Sequence, residues 1–161
     1  MISTDAGYCN DRMTTQTKDG GIGFKKTSYD NAHRINTFKI PSYKCTNESN
    51  DLFTLSSNSY GNKKLSAPVG LITADELAYA GGLYYNFNFQ LYTYSGYWYW
   101  VLSPAFFSGG MSGSFYFGSN SSINVNISNN YYGVRPTIAL NSLALVTSGT
   151  GTLDDPYIIS E

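Results

Sequence analysis

Apolar and polar positions alternate most clearly near residue 125, where Ile123, Val125 and Ile127 are interleaved with Asn124 and Asn126. A period of two sends the two types to opposite faces, so the spacing predicts a strand with one buried side. The run Tyr97-Trp98-Tyr99-Trp100-Val101-Leu102 is aromatic and β-branched, and Ser103-Pro104 is expected to end it. Alternation here selects Trp98 and Trp100 for burial, together with Phe117 of the strand 114–117. A Gly-rich loop at 108–113 precedes that strand, and Gly118-Ser119-Asn120-Ser121 carries hairpin chemistry after it. A further strand is expected over 134–140, with Pro136 placing it near an edge or bulge. Strands at 143–146 and 157–159 follow, joined by a turn at 149–151.

One helix is well signposted. Thr73-Ala74-Asp75-Glu76 is a capping box, in which the Thr73 hydroxyl accepts from the Glu76 amide and the Glu76 carboxylate reaches back. Ile72 and Leu77 are spaced as a hydrophobic staple, and Gly81-Gly82 supplies a left-handed stop. The expected helix covers about 73–80. A shorter one is expected within 29–36. Several strands and one well-capped helix make an α+β domain with a mostly antiparallel sheet and long loops.

Composition then narrows the picture. A chain of 161 residues with 42% hydrophobic residues and a net charge of −1 is expected to fold as one globular domain, 1–161. No stretch approaches the roughly 18 apolar residues of a membrane-spanning helix. The charge balance offers no basic stripe for nucleic acid. Charged residues make up only 13%, and there are 15 Tyr. Tyr joins a large stiff surface to a polar tip, which suits interfaces as well as strands.

Charge is unevenly distributed. Nine of the ten Lys and Arg precede residue 65, and residues 77–134 contain no Asp, Glu, Lys or Arg. Residues 1–70 read as a loop-rich part, punctuated by Gly20-Gly21-Ile22-Gly23, Ser56-Ser57-Asn58-Ser59 and Pro68. Residues 71–161 read as the part that carries the helix and the aromatic sheet.

Cys9 and Cys45 both lie in polar, turn-like settings, and an even count in such a chain fits one disulfide. Two free thiols are the alternative. A disulfide would close a loop of about 35 residues and tie the first part down. No apolar leader follows Met1-Ile2-Ser3, so the chain reads as cytosolic or as a domain of a longer exported protein. The cysteines favour the exported reading, with any membrane attachment through a segment outside this chain.

Catalytic signals are weak. His33 is the only imidazole, in Asp30-Asn31-Ala32-His33-Arg34, and a lone His is more often structural. Asp75 and Glu76 are explained by helix capping and the macrodipole, and Asp154 and Asp155 by a turn. No phosphate loop, nucleophile elbow or metalloprotease helix is found. No catalytic residue, metal site or cofactor is expected. Binding chemistry is better represented: Tyr92, Tyr94, Tyr97, Tyr99, Phe106, Phe107, Tyr116, Tyr131 and Tyr132 mingle with Ser, Asn and Gly, the vocabulary of antibody loops.

The segments Pro68-Val69-Gly70-Leu71-Ile72-Thr73-Ala74-Asp75-Glu76, Trp100-Val101-Leu102-Ser103-Pro104, Gly133-Val134-Arg135-Pro136 and Gly149-Thr150-Gly151-Thr152-Leu153-Asp154-Asp155-Pro156-Tyr157 resemble a family of uncharacterised domains. These belong to secreted and pilin-like surface proteins of Gram-positive bacteria. The resemblance includes Tyr8-Cys9-Asn10-Asp11-Arg12 and spans most of the chain. More distantly, such domains are similar to the C-type-lectin-like fold of formylglycine-generating enzymes and of the variable proteins of diversity-generating retroelements. The late cysteine pair of those enzymes is missing here, as are the calcium-ligating motifs of sugar-binding lectins.

The resemblance implies ligand display rather than catalysis. It implies an adhesin-like or receptor-binding domain at the cell surface, facing a surface protein or glycan of another cell or host. The stretch 105–132 is rich in the residues that adenine-directed mutagenesis of Asn codons produces. Tyr97, Tyr99, Phe106, Phe107, Met111, Tyr116, Asn124, Asn126 and Tyr131 are expected to form one exposed patch. Arg135 is expected to be a scaffold residue, bonding loop carbonyls with its five donors. The competing reading is structural: a pilin-like or surface-layer subunit whose aromatic face packs on neighbouring subunits.

Overall fold

The structure is a computed structural model that describes residues 1–14, 26–86, 96–152 and 154–160. The Gly20-Gly21-Ile22-Gly23 turn, Tyr92, Tyr94 and Leu153 named above lie outside the described residues. In chain order come β1 (Tyr8–Cys9), β2 (Thr27–Ser28) and a one-turn α1 (Asp30–His33), which runs into a π-helical turn (Arg34–Phe38). Next are α2 (Glu48–Asp51), β3 (Leu52–Phe53), β4 (Gly70–Leu71) and α3 (Ala74–Tyr79). Then follow β5 (Tyr99–Ser108), β6 (Met111–Phe117), β7 (Ile123–Ile127), β8 (Gly133–Val134) and β9 (Pro136–Thr137). The last two are β10 (Leu145–Ser148) and β11 (Ile158–Ser160). The class is α+β with mostly antiparallel pairing.

The centre is the antiparallel meander β5-β6-β7, which alternation builds. Phe117 pairs with Ile123, Phe115 with Val125 and Gly113 with Ile127, and these face the core. Phe115, Phe117, Ile123 and Leu77 are fully buried, and each contributes about 1.5–3 kcal/mol. The loop expected at 108–113 is tighter than the sequence suggested. Gly109 and Gly110 alone turn the chain, both at positive φ (59° and 80°). That conformation matches the twist of a two-residue hairpin and favours glycine.

Ser103-Pro104 does not end the strand as expected; β5 runs on to Ser108. Pro104 stands opposite Ser114 at a register shift, where its missing N–H disturbs the ladder least. A second shift between Pro104 and Phe106 changes the phase of the strand. Phe106 thereby turns toward the core and covers Gly113, where a Cβ would meet the Phe106 ring. The strand expected over 134–140 divides at Arg135. Gly133 and Val134 pair parallel with Tyr99 and Trp100, whereas Pro136 and Thr137 pair antiparallel with Leu71 and Gly70.

The capping box forms as the sequence predicts. The Thr73 hydroxyl accepts from the Glu76 amide at 3.1 Å, and the Thr73 amide donates to Oε2 of Glu76 at 2.7 Å. The buried Ser103 hydroxyl adds a cap from the sheet, accepting from the Ala74 amide at 2.9 Å. Helix α3 is therefore locked to β5 through the donors its first turn leaves open.

Besides the pairing of β2 with β5, two devices help to hold the first part. Cys9 and Cys45 form a disulfide. The Arg34 guanidinium also bridges two buried carboxylates, Asp11 at 2.6 Å and Asp75 at 2.9 Å. Burial alone would lower the Arg34 pKa, but the bonds and charges of Asp75 and Asp11 raise it. Since Asp75 belongs to α3, this network joins residues 11 and 34 to the helix.

Candidate functional site

Strand β5 offers two faces. Tyr99, Val101, Ser103 and Ala105 point to the core, and all four are buried. The expectation that Trp98 and Trp100 are buried is therefore corrected. Trp98 is 48% exposed and Trp100 is half-buried on the outer face, while Phe117 is buried as expected. The run 97–102 is apolar or aromatic on both faces, so its alternation does not fix the phase. The signal that does is small size: Val101, Ser103 and Ala105 are the buried phase of the strand, and Trp98 and Trp100 fall in the other phase.

On the outer face, rings from two other segments converge on Tyr132, in the loop before β8. Its ring centroid lies 4.7 Å from Trp100, 4.6 Å from Tyr116 and 5.2 Å from Trp98. The Trp98 contact is edge-on, at 87°. The Tyr132 hydroxyl accepts from Nδ2 of Asn126 at 2.6 Å, which ties this loop to β7. Trp98 is itself positioned, because its indole N–H donates to the Ser119 hydroxyl at 2.6 Å. The backbone reinforces this arrangement: the Gly133 amide donates to the Trp98 carbonyl at 2.9 Å.

Beside these rings is an open cleft of 540 Å3 walled by Trp98, Ser119, Tyr131 and Tyr132, with Tyr97 and two glycines at its rim. Tyr131 is fully exposed and Tyr97 is 79% exposed. No lining residue is an acid or a base of the charged types. Burial raises the pKa of the Tyr116 hydroxyl, and the neighbouring hydroxyls of Tyr132 and Tyr85 add to the effect. The face is neutral at physiological pH.

The nine residues expected in one patch do not form one. Tyr97, Tyr116, Asn126 and Tyr131 belong to this face or its rim, and Trp98, Trp100, Ser119 and Tyr132 complete it. Tyr99 is only 3% exposed, packed 5.5 Å from the Phe117 ring on the core side. Asn124 is 4% exposed, and its amide donates to the carbonyl and hydroxyl of Ser122. Phe106 packs on the core through the register shift described above. Phe107 is half-buried, opposite Thr27 and Ser112. Met111 is exposed, but at the hairpin end of β6. It stands five residues from Tyr116, about 17 Å along a strand.

Arg135 holds its guanidinium carbon 5.5 Å from the Tyr99 ring centroid, a cation–π contact with a core-side ring. Arg135 itself is exposed. A second, smaller cavity of 210 Å3 lies by the disulfide, bounded by Asp11, Asp75 and Glu76. Those carboxylates already serve the Arg34 network and the helix cap, and the cavity reads as structural.

His33 packs its ring 6.4 Å from that of Phe38. Among the described residues, no helix is long and apolar enough to cross a membrane. The chain matches no family model, no curated protein and no solved structure.

Proposed function

We propose that this protein is a non-catalytic ligand-binding domain of adhesin or receptor-binding type, which binds through the outer aromatic face of its central sheet. One observation carries the reading: aromatic rings from two other segments are organised around Tyr132 and left partly exposed beside a cleft whose lining carries no Asp, Glu, Lys or Arg. Large stiff side chains held by packing lose little entropy when a partner docks. Trp and Tyr are the residues most often found as binding hot spots.

The disulfide supports an oxidising location, which favours an extracellular or cell-surface domain. The finer fold assignment, C-type-lectin-like, is part of this proposal and rests on sequence motifs. Two of them, at Trp100 and at Gly133-Val134, lie side by side as paired strands. Ser119, Asn126, Tyr131 and Tyr132 fall within the stretch 105–132, which supports a face open to diversification.

The assembly reading, a pilin-like or surface-layer subunit, draws on the same face. Sedimentation velocity separates the two. A monomer that adheres to intact cells, with adhesion lost in Trp98→Ala/Tyr131→Ala, supports ligand binding. Self-association abolished by that pair supports assembly.

A further inference from the structure

We infer that the ligand of the Trp98–Tyr131 cleft is a neutral saccharide, an inference that rests on the binding role proposed above and names its chemistry. Three features of the cleft select this class together.

The first is ring geometry. Trp98 is half exposed, and the Tyr132 ring meets it at 87°, so the two form a corner. An aromatic face is electron-rich and its quadrupole attracts the positive edges of C–H bonds. A pyranose has one flat side made of axial C–H groups and a rim of hydroxyls. Stacked on Trp98, it presents that rim to the second wall of the corner.

The second is hydrogen bonding. The Ser119 hydroxyl accepts from the Trp98 indole and carries a hydrogen of its own to donate. It lies at the foot of the ring on which the sugar stacks, placed to donate to a sugar oxygen. The Tyr97 and Tyr131 side chains that line the cleft bring hydroxyls that both donate and accept. Sugar hydroxyls have the same dual character, so the two sets match.

The third is charge. No Asp, Glu, Lys or Arg occurs within residues 77–134, the span that supplies every residue lining the cleft, and the exposed Arg135 that follows lies against the Tyr99 ring. A sialylated, sulfated or phosphorylated ligand would lose hydration here without gaining a counter-charge. A folded protein partner would bring a rim of charges for which the cleft lining holds no counter-charge. The cleft is shallow and open rather than enclosed, which admits a chain of sugars rather than a single enclosed one.

The test is an array of neutral, sialylated and sulfated oligosaccharides probed with the whole chain. It is paired with tryptophan fluorescence, because the only two Trp of the chain, Trp98 and Trp100, both lie on this face. Neutral oligosaccharides are expected to be retained and to change the emission. Trp98→Ala should weaken retention at least tenfold, whereas Trp98→Phe should restore part of it, with circular dichroism unchanged in both. Retention of charged glycans alone, of none, or equally by Trp98→Ala overturns the inference. Cells oxidised with periodate distinguish the two levels of the account. If adhesion depends on Trp98 but survives periodate and is lost after protease treatment of the cells, the ligand is a protein; the saccharide inference falls and the binding role stands. If Trp98→Ala changes nothing on any surface, both fall.

Discussion

The Tyr132 ring packs 4.7 Å from that of Trp100 at an interplanar angle of 40°, although 32 residues separate them in the chain. This contact turns a row of strand aromatics into an organised surface, because Tyr132 also touches Trp98 and Tyr116. Tyr132→Ala should therefore reduce adhesion at least tenfold, even though Trp98 and Tyr131 remain. Tyr132→Phe keeps the ring and loses the bond from Asn126 together with the hydroxyl's hydrogen bond with Tyr116. It should cost about 0.5–1.5 kcal/mol of stability by denaturant unfolding and leave most binding intact. Equal adhesion by wild type and Tyr132→Ala would show that the face needs no hub.

The Arg34 network predicts the largest stability loss of any single change proposed here. Arg34→Ala leaves Asp11 and Asp75 buried without their shared counter-charge. The expected cost is about 3–5 kcal/mol, read from urea unfolding. A loss below 1 kcal/mol would mean that water reaches these carboxylates readily. The double change Asp11→Asn/Arg34→Met should be milder than Arg34→Ala, because fewer charges are left uncompensated.

Reduction of the Cys9–Cys45 bond should lower stability by about 3–4 kcal/mol, since the cross-link closes a span of 36 residues in the unfolded chain. The sheet and its aromatic face do not contain either cysteine. Saturable binding should therefore survive reduction at low temperature. Unfolding of the entire chain on reduction would show that the first seventy residues are not separable in this way.

The same reasoning extends to pH. The pKa of the Tyr116 hydroxyl lies above its ordinary value of 10.0, raised by burial and then by Tyr132 and Tyr85. The folded state thus keeps this proton where the unfolded chain gives it up. The stability it supplies is complete below about pH 10 and is lost as pH rises through the folded value. Burial acts in the same direction on Tyr8 and Tyr84. Thermal melts across this range should show Tm falling above about pH 10, with a smaller fall in Tyr116→Phe.

What could be read in advance follows from how local each feature is. The helix cap at Thr73 and Glu76 is decided within four residues, and it forms as read. The strand at Ile123–Ile127 declares itself by strict alternation. The phase of β5 does not, because Trp98, Tyr99 and Trp100 suit either face. It is set at a distance, by the close packing around Ser103 and by the register shifts at Pro104 and Phe106. Tyr99, Phe106 and Asn124 were accordingly misplaced in the expected patch. Asn124 looked like an outward polar residue, yet its amide is taken up by Ser122, two residues away. Arg34 carried no local signal of its role, since its partners lie 23 and 41 residues away.

The central claim is that the face around Tyr132 binds a ligand at a cell surface. Retention of labelled protein on intact cells tests it most directly, comparing wild type, Trp98→Ala/Tyr131→Ala and Leu145→Ser. Leu145 is exposed on β10, in a separate two-stranded sheet, and controls for nonspecific apolar contact. The account predicts that the aromatic pair abolishes retention while Leu145→Ser matches wild type, with all three proteins equally folded. Undiminished retention by the aromatic pair, or loss of retention in Leu145→Ser alone, would contradict it.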